Sequence, residues 1–154
     1  MLRKIFVPFL VSAAGIAFTL WLSGFIGYAG FAGLVDLPSF LVSIVVPYAL
    51  ASIGFGLSGT MAAYRVPFDA GAERKELAKA RAYFSCLTRY IVAWAVFAIV
   101  TGFIALLVAS AGDGAAMGRN IAVCILSALY AAAIPILFVI PFQAAIDGRL
   151  AETD

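Results

Sequence analysis

Histidine is absent from the chain, cysteine occurs only twice, and charged residues make up 12% of the 154 positions, about half the share found in an ordinary soluble domain. Without histidine there is no imidazole to hold a metal or to act as a base near neutral pH. Cys86 and Cys124 fall near opposite ends of two different apolar runs, most of a membrane thickness apart and so beyond disulfide reach. Both read as small packing residues. No Cys/His metal spacing and no glycine-rich phosphate loop occurs, so neither metal nor cofactor is expected, and no nucleic-acid partner. Serine, threonine and tyrosine do lie inside the apolar runs, but no carboxylate or amine accompanies them there to serve as a general base. The chain is not expected to be an enzyme.

The most telling shortage is local. Ionisable side chains are missing from four stretches, about 5–27, 38–63, 90–110 and 120–142, in a chain that is 65% hydrophobic. Each stretch can cross a hydrocarbon layer of ~30 Å at ~1.5 Å per helical residue. A charge at the centre of such a span costs about 2.5–3.5 kcal/mol to insert, so one that is kept there usually marks a function. None is kept here. The sequence therefore predicts an all-α fold, a four-span helical integral membrane protein whose single membrane domain covers 1–154.

The basic residues fix the expected orientation. Arg3 and Lys4 precede the first span, Arg65, Arg74, Lys75, Lys79, Arg81 and Arg89 lie between the second and third, and Arg149 follows the fourth, whereas the other side carries only Arg119 with Asp36 and Asp113. The positive-inside rule places both termini and the middle loop in the cytoplasm. Ser12-Ala13-Ala14 after Arg3-Lys4 has some look of a signal peptide, but the apolar stretch runs on past the small residues, and the first span is expected to be retained.

Gly24, Gly27, Gly30 and Gly33 recur every third residue after the first span, which we read as a flexible turn rather than close helix packing. Asp36 is a candidate cap for the second helix, with Pro38 tolerated in its first turn. Gly112-Asp113-Gly114 to Asn120 forms the turn between the third and fourth spans, with Asn120 a candidate cap. The cytoplasmic helical loop, about 65–89, holds strong helix formers. Leu77, Ala80, Phe84 and Leu87 stand at helical spacing, while Arg74, Lys75, Glu76 and Lys79 lie largely elsewhere. With no breaker before the third span, one helix is expected from about Ala72 to Ala109, on the order of 55 Å long, so that the third helix extends into the cytoplasm. Its charged residues Arg74, Lys75, Glu76 and Lys79 form either a solvated extension near the headgroups or a docking surface for a cytoplasmic partner. The small extent of the loop favours the first.

Small residues form stripes: Gly15, Thr19 and Ser23 in the first span, Gly54 with Ser58 and Gly59 with Ala63 in the second. In lipid such stripes read as helix contacts. In the fourth span Ser127, Ala131 and Pro135 share a face, and Pro135 is expected to bend the helix and leave the Ala131 carbonyl without its donor. That face either packs on a neighbour or forms a small, faintly polar wall.

The order of residues in this span is also informative. Gly118-Arg119-Asn120-Ile121-Ala122-Val123, Ser127-Ala128-Leu129-Tyr130-Ala131 and Phe138-Val139-Ile140-Pro141-Phe142 together resemble the last span of the MotA/TolQ/ExbB proton-channel family. Val35-Asp36-Leu37-Pro38-Ser39-Phe40 is similar to the start of the second span in its flagellar-stator branch. The resemblance implies a compact stator-type A subunit without the branch's large cytoplasmic domain. Ala128 stands where the family commonly has threonine and Ala131 where it has glycine, and the third span keeps only Thr101-Gly102 of a Gly-Thr signature.

What the resemblance implies is a homo-oligomer, a pentameric ring in the bacterial cytoplasmic (inner) membrane. It would surround a single-span MotB/TolR/ExbD-like subunit that brings the membrane aspartate. Thr101, Ser127 and Tyr130 would be pore-lining or partner-contacting polar groups, and Pro135 would shape the wall. The empty spans suit that division, because a chain with no ionisable group in the membrane cannot relay protons by itself. The expected function is a channel-forming subunit of an ion-driven motor or energy-transducing complex. A non-conducting structural or adaptor membrane protein on the same scaffold is the alternative, favoured by the missing threonine. A self-contained transporter fits less well, since neither an inverted repeat nor a pair of broken helices is evident.

Overall fold

A computed structural model of the chain describes residues 2–24, 33–109 and 114–152. All regular structure among them is helical. Four helices are long and apolar enough to cross a membrane, over Ile5–Leu22, Leu37–Phe68, Arg74–Val108 and Asn120–Phe138. Gly27, Gly30 and the turn around Asp113 lie outside the described residues, as does the side chain of Arg119.

Helix α1 is Leu2–Leu22. Helix α2 has three consecutive parts: Leu37–Phe40, a π-helical turn over Leu41–Val45, and Val46–Arg65. Asp36 caps it as its sequence position suggests, accepting the Ser39 N–H at 2.8 Å, and Pro38 occupies a first-turn position where no N–H is needed. The π turn follows from Pro47. That residue has no N–H to give the Ser43 carbonyl, and the Val46 N–H reaches back to Leu41 instead. Farther on, Gly56 adopts φ 74°, ψ 156°, so the backbone of α2 is not helical at that point. Only glycine takes this conformation without strain.

A short 3₁₀ turn, Val66–Phe68, leads to α3, Arg74–Ala109. Its 36 residues form the single long helix expected, beginning two residues later than Ala72. The Glu73 N–H donates to Glu76 Oε2 at 3.1 Å, half of a capping box. Helix α4, Gly114–Phe138, already begins at Gly114, so Asn120 lies inside it and is not its cap. It also continues through Pro135. The interruption comes at Val139, before α5, Ile140–Glu152, because Pro141 cannot supply a donor to the preceding turn. The fourth apolar helix thus ends at Phe138 rather than at 142, and the chain continues into a fifth helix that hydropathy alone does not announce.

The core gathers at the charged end of the bundle. Leu77, Ala80, Phe84 and Leu87 of α3 are all buried, with Tyr83 and Ile91, against Ala51 and Ala63 of α2 and Val139 and Ile146 at the α4–α5 end. Tyr64 is the aromatic hub, its ring centroid 5.0 Å from Phe84 and 5.1 Å from Phe142 in edge-on contacts. The apolar stripe of the loop helix is therefore an internal surface, covered by α2 and α5. Toward its other end α3 exposes Val96, Phe97, Val100, Phe103, Ile104, Leu107 and Val108, the surface expected where a helix meets lipid or other membrane helices.

Helix α5 fastens the loop. Arg149 Nη1 donates to the carbonyls of Val66 at 2.9 Å and Asp69 at 2.7 Å, and Nη2 to that of Ala70 at 3.4 Å. These carbonyls belong to the turn that follows α2, where those of Val66 and Asp69 also accept the Asp69 and Ala72 N–H groups at 3.2 and 3.3 Å, so the guanidinium pins that turn from across the fold. Arg149→Ala is expected to lower stability by about 1.5–3 kcal/mol, read as the unfolding midpoint in detergent. Arg149→Lys should recover little of it, because an ammonium lacks the planar fork.

Candidate functional site

Helices α3 and α4 approach each other closely at Gly102. A methyl group built there would run into Cys124 Sγ, well inside van der Waals contact, and Cys124 Sγ also lies 3.9 Å from the Ile99 carbonyl. Cys124 is thus buried as a packing residue, and both it and Cys86 are free thiols. Gly102 belongs to the Thr101-Gly102 pair seen in the sequence, but its role as the contact point was not legible there. The stripes expected to make helix contacts behave differently. Cβ atoms at Gly15 or Gly54 would meet nothing within 4 Å, and the Thr19 and Ser23 hydroxyls donate to carbonyls of their own helix, Gly15 and Thr19, at 2.9 Å. Gly15 and Gly54 therefore make no close helix contact among the described residues, whereas Ala63 of the remaining stripe is buried in the core.

The four residues singled out for the wall are not all on one exposed face. Ser127 is buried and donates to the Val123 carbonyl at 3.2 Å. Ser39 Oγ donates to the same carbonyl at 3.5 Å, so Ser39 ties the start of α2 to α4, whereas the Ser127 bond stays within its own helix. Tyr130 is half-buried. Its hydroxyl donates to the Leu34 carbonyl and accepts the Asp36 N–H at 2.9 Å, while its ring packs edge-on against Phe40 with centroids 6.0 Å apart. It therefore holds the segment entering α2 against α4. Pro135 is buried within α4. Thr101 alone of the four is exposed, and its hydroxyl donates to the Phe97 and Ala98 carbonyls at 2.9 and 3.1 Å.

Removing one hydroxyl tests the clamp. Tyr130→Phe leaves a carbonyl and an N–H without their partner and is expected to cost about 1–3 kcal/mol. The measurement is hydrogen exchange at Asp36, whose amide should lose protection while those of the Phe84 region keep theirs.

A second polar group lies near the break in α2. Tyr64 donates to the Tyr48 hydroxyl at 3.1 Å, and Tyr83, fully buried on α3, packs edge-on against Phe55 with centroids 5.5 Å apart. Sequence reading missed this cluster, although tyrosines near span ends are a recognisable signal of the membrane boundary. Neutral phenols donate and accept hydrogen bonds but do not change charge near neutral pH.

Arg74, Lys75, Glu76 and Lys79 are all exposed. An ion pair between helices forms one turn later, with Arg81 Nε 2.8 Å from Asp147 Oδ1 and side chains 56% and 41% exposed. At that exposure it contributes about 0–1 kcal/mol. Compared with protein-family models, curated proteins and solved structures, the chain shows no significant match.

Proposed function

We propose that the chain is the wall-forming subunit of a multi-copy, proton-driven complex in a bacterial cytoplasmic membrane. Several copies, five in the family it resembles, would ring the single spans of a partner that carries a membrane aspartate. The observation that carries this reading is the pairing of spans empty of ionisable groups with an exposed α3 face on which Thr101 sits among Phe97, Val100 and Ile104. Thr101 supplies the polar contact on that face. Tyr130 holds α4 against the start of α2 behind it, Ser127 lies buried in the same helix, and Pro135 shapes it.

A second reading, a non-conducting adaptor, is favoured by one specific observation: the hydroxyls of Ser127 and Tyr130 are engaged within the chain. Co-expression with the neighbouring reading frame, followed by native mass spectrometry, tests the assembly. The proposal expects several copies of this chain with a single-span protein bearing a membrane aspartate. A stable monomer without such a partner contradicts it.

A further inference from the structure

Where α2 passes α3 near the charged end of the bundle, Gly54, Ser58, Gly59 and Ala62 leave a groove of about 670 Å³ floored by Phe55 and Ala80. Glu76 and Lys79 stand at its mouth. An adjoining recess of about 310 Å³ shares Ser58, Ala62, Val66 and Glu76 and adds Arg65 and Asp69. The two form one trough, apolar along the membrane helix and charged where α2 ends.

The charges at the mouth are two cations and two carboxylates. Lys79 and Arg65 make no ion pair among the described residues, and each carboxylate has one oxygen on a backbone N–H: Glu76 Oε2 on Glu73 at 3.1 Å, Asp69 Oδ1 on Gly71 at 2.9 Å. A ligand carrying only negative charge would meet the carboxylates as well as the cations. One carrying a phosphate and an ammonium side by side satisfies both, and an acyl chain beneath it fits the apolar trough.

We propose that this groove binds a membrane phospholipid with a phosphoethanolamine headgroup. The phosphate lies at Lys79 and Arg65, the ammonium donates to the open oxygens of Glu76 and Asp69, and an acyl chain follows Gly54, Ser58 and Ala62. A trimethylammonium group cannot donate those hydrogen bonds, and a phosphoglycerol headgroup lacks the cation. The site depends on membrane insertion alone and not on the partner proposed above.

The full chain is reconstituted in nanodiscs containing equal parts phosphatidylethanolamine, phosphatidylcholine and phosphatidylglycerol, and the lipid retained after release is read by native mass spectrometry. Phosphatidylethanolamine is expected to be retained about tenfold over either competitor, the ratio that ~1.4 kcal/mol produces. Gly54→Leu should abolish retention by filling the trough, since a Cβ there meets nothing within 4 Å. Lys79→Gln with Arg65→Gln, both exposed positions, should erase the preference. Equal retention of the three lipids, preference for phosphatidylglycerol, or unchanged retention in Gly54→Leu overturns the proposal. So does disulfide trapping of two copies through Ser58→Cys in a background without Cys86 and Cys124, which would show a second chain covering the groove.

Discussion

Phe84→Ala is expected to destabilise the protein by about 3–5 kcal/mol, the range for removing a buried aromatic side chain. Phe84 is fully buried and packs against Tyr64, Tyr83 and Phe142, with ring centroids 5.0, 5.3 and 5.9 Å away. Its loss opens a cavity where α2, α3 and α5 meet, at the end of the bundle where the chain holds itself together. Phe103, farther along the same helix, is 51% exposed, and Phe103→Ala should change stability by no more than about 0.5 kcal/mol. Unfolding midpoints in one detergent compare the two. A docking role for the loop stripe predicts the opposite: Phe84→Ala would spare stability and weaken binding to a partner.

Gly102→Ala is expected to cost about 1–3 kcal/mol through overpacking, a large effect for one methyl group. A Cβ at 102 collides with Cys124 Sγ, whereas Cys124 Cβ stands at 3.8 Å, an ordinary contact. Cys124→Ala should therefore recover much of the loss. The double mutant then tests the contact itself, with a coupling of about 0.5–3 kcal/mol expected for touching residues. Simple additivity would mean that α3 and α4 do not meet at this point.

The membrane helices were legible in the sequence because the signal, absence of charge over a span, is local and strong. The long α3 was legible for the same reason, since no glycine or proline interrupts 74–101. The stripe Leu77, Ala80, Phe84 and Leu87 was visible as a pattern, but a pattern does not say what covers it. Its partners, Tyr64 and Phe142, lie on other helices. Two prolines mark changes that the sequence reading did not single out: the π turn falls before Pro47 and the break after the fourth apolar helix before Pro141, while α4 runs on through Pro135. The conformation of Gly56 has no local signature at all, because any glycine can take it and only the surrounding packing selects one. The same holds at the candidate site. Tyr130 stood out as a polar residue in an apolar run, but its hydroxyl partners, Leu34 and Asp36, are more than ninety residues away in the chain.

The proposed function is a division of labour in which this chain would supply a wall without titrating groups and the proton-accepting carboxylate would arrive on another polypeptide. Proton flux into vesicles under an imposed potential tests it most directly. Vesicles holding this chain alone should match empty vesicles, while those holding it with the proposed single-span partner should conduct. Partner aspartate to asparagine should abolish that flux, and Thr101→Ala in this chain should reduce it. Flux through this chain alone would contradict the account.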